Sequence, residues 1–219
     1  MEVKWLGHAA FLIKGSDGFR VITDPYKPGA YGGGIAYGAI KEEADVVTVS
    51  HDHEDHNWVS DIKGSPVVLK GAGVHEVRGR TFKGIATFHD PSGGKERGKN
   101  TVFCFTVDGI RICHLGDLGH VLSDDHLREI GEVDLLLIPV GGYYTIDAKE
   151  ATQVLSQIRP KKAIPMHFKT PKCGFPISPV EDFLKDKERV QRVGSSVISL
   201  GPEDFKGEGP EIIVLEPGL

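Results

Sequence analysis

Hydrophobic residues along this chain fall in short bursts, and the spacing inside each burst suggests an element. "AAFLIKG" and "FRVITDP" are compact runs rich in branched and aromatic side chains. Joined by the turn "SDG", they predict two early strands. "ADVVTVS", "SPVVLKG" and "GIATFH" repeat that signature farther on. "TVFCFTVDGIRICHLGD" is the clearest hairpin, two β-rich arms meeting at Asp108-Gly109. A helix is expected between Ser123 and Gly131, which have capping chemistry at its two ends. "VDLLLIPV" is a continuous apolar strand. After it, Asp147 and Glu150 form an acidic variant of the capping box. Ala151, Val154, Leu155 and Ile158 then recur at helical spacing until Pro160. "KAIPMH" returns to strand character, which makes this segment a β-α-β unit with parallel strands. A last helix is predicted after Ser178-Pro179, and "SSVISL" and "EIIVLEP" close the chain as strands.

Many strands with few helices, most of them late, predict a pair of mixed sheets with helices outside, as α/β or α+β layers. The 219 residues contain no linker and no break in composition, so one domain over 1–219 is expected. Charge narrows the partners. A formal net charge of -5 provides no general basic field, and no nucleic-acid partner is expected. No apolar run reaches the length of a membrane span, and the N-terminal one is too short for a signal peptide. Cys104, Cys113 and Cys173 lack a paired pattern, which fits free thiols in a reducing cytoplasm. Oligomeric state is not legible from any of these features.

The chemistry is concentrated in "SHDHEDHN", directly after the run "ADVVTV". Its pattern is His51-x-His53-x-Asp55-His56. In a turn leaving a strand these four side chains could converge on one point, and imidazole with carboxylate is a ligand set for zinc and similar divalent ions. Ligands close in sequence cost little loop entropy to gather. A single ion with an open position could not use all four, whereas two adjacent ions could if other segments added ligands. His89, Asp117 and His167 are such additions, each placed where a predicted strand runs out.

With these motifs in order, the chain resembles the metallo-β-lactamase superfamily nearly end to end: "VKWLGHAAFLI", "VITDPY", "ADVVTVSHDHEDHN", "ICHLGDLG", "VDLLLIPVGGYYTIDAKEA" and "IRPKKAIPMHF". It looks closest to the small Zn-dependent hydrolases related to ascorbate-6-phosphate lactonase. The resemblance implies a four-layer αββα sandwich with a dinuclear site at one edge of the sheets. Carried over, His51, His53 and His89 resemble the ligands of one metal, with His114 the other candidate for the place of His89. Asp55, His56 and His167 resemble those of the second metal, and Asp117 the carboxylate between them. Two divalent ions are implied, zinc first, with manganese or iron(II) also suited to the set. The implied activity is metal-dependent hydrolysis of a small ester, lactone or phosphodiester. A shared water, its pKa lowered from ~16 toward ~7, would be the nucleophile, and Asp55 would assist it as the catalytic carboxylate. A flavo-diiron redox protein would carry glutamate where His53 stands. A non-catalytic metal-binding protein of the same fold is the remaining alternative.

Around this set, His8, Asp24 and His114 are candidates to orient ligand imidazoles, against the plainer reading of satisfied polar residues beside the core. Asp24 could also simply open the turn at Pro25, and His120 is a weaker candidate still. Lys95, Arg97 and Lys99 could hold an anionic small-molecule substrate, although a solvated loop is the simpler reading of them. Tyr31 and Tyr37 lie in a Gly-rich loop with the look of a lid, and Tyr143 and Tyr144 could line a pocket or fill a turn. No substrate-binding residue is fixed by the sequence.

Overall fold

The computed structural model describes residues 1–219. Its first sheet is built from β1 (Glu2–Gly7), β2 (Ala10–Lys14), β3 (Arg20–Thr23), β4 (Val46–Val49) and β5 (Val67–Lys70), with β13 (Val197–Ser199) added beside β1. The second contains β6 (Gly73–Val77), β7 (Arg80–Phe88), β8 (Lys99–Val107), β9 (Ile110–His114), β10 (Leu135–Pro139), β11 (Lys162–Met166), β12 (Val190–Arg192) and β14 (Glu211–Val214). Its spatial order is β12-β14-β11-β10-β9-β8-β7-β6.

Alternation of side chains explains how the first sheet is shared between two cores. Val3, Trp5, Phe11, Ile13, Val21 and Val46 point into the larger cluster, where they meet Phe103, Ile112 and Leu137 of the second sheet. Leu6, Leu12, Ile22, Val47 and Val49 point the other way, into a smaller cluster closed by Tyr26, Ile35, Tyr37 and Ile40. The two outer faces are therefore covered differently. A long loop, roughly residues 25–44, caps the first sheet, while the helices Asp124–Ile130, Ala148–Ile158 and Val180–Leu184 bury their apolar side chains with the second.

Both expected caps form. Ser123 Oγ accepts the backbone N–H of His126 at 3.3 Å, and Asp147 Oδ1 accepts those of Lys149 and Glu150. The hairpin turns at Asp108 and Gly109, both with positive φ, and its arms put Cys104 opposite Cys113. The β-α-β unit is parallel, with Leu135 beside Lys162. Strands β1, β6 and β12 are additions to the sequence reading, β7 starts earlier than "GIATFH", and the last helix is only five residues long.

Topology decides where the functional loops lie. β1, β3 and β4 run in one direction within their sheet, because β2 reverses between β1 and β3 and β4 is parallel to β3. β7, β9, β10 and β11 likewise share a direction in theirs. Loops leaving the C-terminal ends of these strands carry the candidate ligands His51, His53, Asp55, His56, His89, Asp117 and His167, while His114 ends β9 itself.

Candidate metal centre

His8 follows β1, Asp24 follows β3, and the cluster 51–56 follows β4. Across the sandwich, His89 follows β7, Asp117 lies three residues beyond β9, and His167 follows β11. The chain must turn sharply at these ends. His8, Asp24 and His167 all adopt positive φ, at 52°, 37° and 52°, in a region that residues other than glycine seldom occupy. Such backbone strain is maintained only by surroundings that over-determine it. The Asp117 turn depends on Gly116, also at positive φ, where a Cβ would lie 2.5 Å from Ser50 Cβ.

Two groups of donor atoms result, each with its members within 4.8 Å of one another: His51, His53 and His89, and His8, Asp55, His56 and His167. Asp117 joins them. Its Oδ2 lies 3.1 Å from His56 Nε2, 3.4 Å from both His89 Nε2 and His167 Nε2, and 3.9 Å from His51 Nε2. His51 Nε2, His56 Nε2 and Asp117 Oδ1 are buried without a hydrogen-bond partner. Unpaired buried polar atoms are costly, and several aimed at one region are the mark of a cation site.

The surroundings set which imidazole nitrogen is free. His56 Nδ1 donates to Asp24 Oδ2 at 2.9 Å. Ser50 Oγ donates to the same oxygen at 2.5 Å, so His51 Nδ1 is the donor in its 2.9 Å contact with Ser50 Oγ. Both rings thus turn Nε2 inward, the nitrogen that metal ligation would use. Burial, reinforced by the nearby His56, lowers the His51 pKa to about 3, so the ring is neutral at pH 7. At His56 burial acts in the same direction, but the Asp117 and Asp55 carboxylates overcome it and raise its pKa well above the usual value.

His8 completes the inner wall. Its Nε2 donates to Asp55 Oδ2 at 3.1 Å, and its ring centroid is 4.0 Å from that of His167. Burial and then the charge of His167 lower its pKa to about 4. His114 does not share this role. Its Nε2 donates to the Ala9 carbonyl and its Nδ1 accepts the Gly116 N–H, so it fixes the turn that presents Asp117 and touches no candidate ligand imidazole. It also leaves the place beside His51 and His53 to His89. His120 is satisfied by backbone as well, at Phe88 and Val121.

Four contributors escaped the sequence reading. Ser50 orients His51, and Asn100 Oδ1 accepts the Asp117 backbone N–H at 2.9 Å. Phe175 and Glu96 line the cavity over the donors, about 350 Å³ in volume, together with Tyr31, Arg97 and Tyr144. Tyr31 donates to Asp55 Oδ1 at 3.3 Å, whereas Tyr37 is buried against Thr170 and Tyr143 is exposed. Phe175 stands edge-on to both Tyr31 and Tyr144, which makes one wall aromatic.

Known proteins share this arrangement of elements. The family model for the beta-lactamase superfamily domain matches residues 2–167. A UPF0173 metal-dependent hydrolase of Thermococcus onnurineus is 29% identical, the match covering 100% of this chain and 97% of the relative. That of Carboxydothermus hydrogenoformans is 31% identical over 92% of this chain and 98% of its own. A crystal structure from Thermotoga maritima, of a protein classed as a Zn-dependent hydrolase of the metallo-beta-lactamase superfamily, is 41% identical. Its TM-score is 0.80, with 98% of this chain and 97% of that chain covered. The chain therefore belongs to the metallo-β-lactamase superfamily, within its UPF0173 family of metal-dependent hydrolases.

Proposed function

We propose that the two donor groups hold a pair of divalent ions and that the protein hydrolyses a small ester, lactone or phosphodiester over them. His51, His53 and His89 would hold one ion and Asp55, His56 and His167 the other, with Asp117 between. Zinc suits this donor set best, and manganese or iron(II) would also be accepted. The observation that carries this reading is the convergence of buried, unpartnered imidazole nitrogens on Asp117. When bound, such ions supply Lewis acidity that activates water and stabilises developing oxyanion charge.

The chain's own residues do the rest. Asp24 and Ser50 fix the tautomers of His56 and His51. Asp55, with His8 on one oxygen and Tyr31 on the other, is the carboxylate placed to accept a hydrogen bond from the attacking water. Tyr31, Phe175 and Tyr144 would give a bound substrate an aromatic wall to pack against. A lactone of a phosphorylated sugar acid is one candidate substrate, on the likeness to ascorbate-6-phosphate lactonase. Cys104 and Cys113, opposed across the hairpin as free thiols, support a reducing, cytoplasmic location.

Metal-stripped protein refilled with zinc or manganese is expected to hydrolyse bis(p-nitrophenyl) phosphate or, failing that, a lactone or carboxylic ester. Asp117→Ala is expected to lose at least ~100-fold of that rate, since it removes a charged group from the reacting centre. A wild-type protein that binds two metals yet cleaves none of the three classes would leave a non-catalytic metal-binding protein.

A further inference from the structure

The metal cavity continues past His53. A second hollow of about 760 Å³ begins there and lies between the ends of β4 and β5 on one side and of β7 and β8 on the other. His53 and Arg97 line both hollows, so the two form one recess. Four of the fifteen residues lining the second hollow are hydrophobic, although much of the surface the others expose is their apolar stems. Its charged residues are Lys70, Arg97 and Lys99 against one carboxylate, Asp52. In a chain of net charge -5 this local excess has the opposite sign.

The three cations are neutralised to different degrees. Lys70 pairs with Asp52 at 2.6 Å, at the rim. Arg97 Nη1 approaches the exposed Glu96 only to 3.6 Å, and Lys99 has no carboxylate within 4.0 Å. Arg97 is nevertheless well placed. The buried Asp90 carboxylate accepts the backbone N–H groups of Ser92, Gly94, Glu96 and Arg97, which fixes the loop that carries the guanidinium. Lys99 opens β8 in register with Phe88. Arg97 also lies over the Tyr144 ring at 5.9 Å, whereas Lys99 makes no ion pair and no cation–π contact.

We propose that this second hollow is a subsite for the anionic end of a small-molecule substrate, bound by Arg97 and Lys99 with Lys70 at the rim. The inference rests on the hydrolase reading of the metal cavity and specifies its substrate class: a carboxylate or phosphate displaced from the scissile bond on the His53 side, joined to it by a polar linker. An anion there would gain charge-assisted hydrogen bonds, and the Arg97 fork could hold two of its oxygens.

Two measurements on the zinc-loaded full chain test this. Turnover of mono-p-nitrophenyl glutarate and of p-nitrophenyl valerate compares an anionic tail with a neutral one of like length. The wild type should prefer the anionic ester in kcat/KM by about 10-fold, and that ratio should fall by about 10-fold in Lys99→Gln and further in Arg97→Gln/Lys99→Gln. Calorimetric titration with glutarate and with inorganic phosphate should show a matching rise in Kd, shrinking in high salt. A stronger effect on phosphate would assign a phosphoryl end, and on glutarate a carboxylate. Equal ester ratios and equal affinities in wild type and variants would overturn the subsite. If neither ester is cleaved, the hydrolase reading fails on these substrates, while the affinity difference still decides the subsite.

Discussion

Asp24 contacts the candidate donors only through His56 Nδ1 and the Ser50 hydroxyl, yet those two contacts set which nitrogen of His56 and of His51 faces inward. Asp24→Asn keeps the shape and loses the charge, so at least one of these imidazoles loses its anionic anchor. Metal affinity is expected to fall about 10- to 100-fold, read by competition with a chromophoric chelator, with the far-UV spectrum unchanged. Unaltered affinity would show that the Asp24 contacts do not orient the ligands. At this scale the sequence was legible where residues announce themselves by type. Histidines and aspartates at strand ends are conspicuous, and His8 and Asp24 fell among them. Ser50, Asn100 and Phe175 did not, because a serine, an amide or a phenyl ring carries no chemical flag and acquires its role from a partner far along the chain. His114 shows the converse. A buried imidazole two residues from a glycine turn resembles a ligand partner in sequence, and only its backbone hydrogen bonds show that it serves the turn.

Elements reveal themselves when their own periodicity is strong. The hairpin around Asp108 and the capped helix from Ala148 carry local turn and cap chemistry, and both were legible. β6 and β12 are short, largely exposed strands whose pairing comes from a neighbour, and β1 mixes Glu2 and Lys4 into its apolar side. One ion pair ties this architecture together at the bottom of the second sheet. Asp134, just before β10, accepts the Arg111 backbone N–H and both Nε and Nη2 of its guanidinium, at 2.7 to 2.8 Å. Hydrogen bonds from the Arg111 side chain hold the Asp134 carboxyl below its ordinary pKa, although burial opposes them. A depressed carboxylate stabilises the fold above its unfolded pKa, about 3.9, and that contribution is lost as pH falls through the lower folded value. Asp134→Asn should therefore unfold about 2–4 °C below wild type at pH 7, corresponding to roughly 1 kcal/mol for a partly exposed pair. The gap should begin to narrow below about pH 4 in thermal melts and close only below the folded pKa. A gap that does not narrow as pH falls below about 3.9 would exclude this charge as its source.

For the molecule as a whole, the donor set joins two sheets that are otherwise held by apolar packing and by polar contacts such as Arg80–Asp17, Arg78–Asp45 and Ser16–Asp108. His51, His53, Asp55 and His56 leave the first sheet, and His89, Asp117 and His167 leave the second. Ions bound between them would bind the folded state and not the unfolded chain, so chelation should lower the unfolding temperature. At a free metal concentration 1,000 times Kd the linkage amounts to about 4 kcal/mol per site. Calorimetric scans with and without chelator measure it, and a Tm indifferent to metal would argue against a site spanning the sheets. The division between strand ends and loops has a consequence for descent. Candidate ligands sit at or within a few residues of strand ends, where register constrains them, while Tyr31, Arg97, Tyr144 and Phe175 stand on loops that core packing constrains far less. A lineage can lengthen, trim or exchange those loops and acquire a new substrate while its donor set is inherited intact, so kinship in this fold records a ligand geometry more faithfully than it records what is consumed.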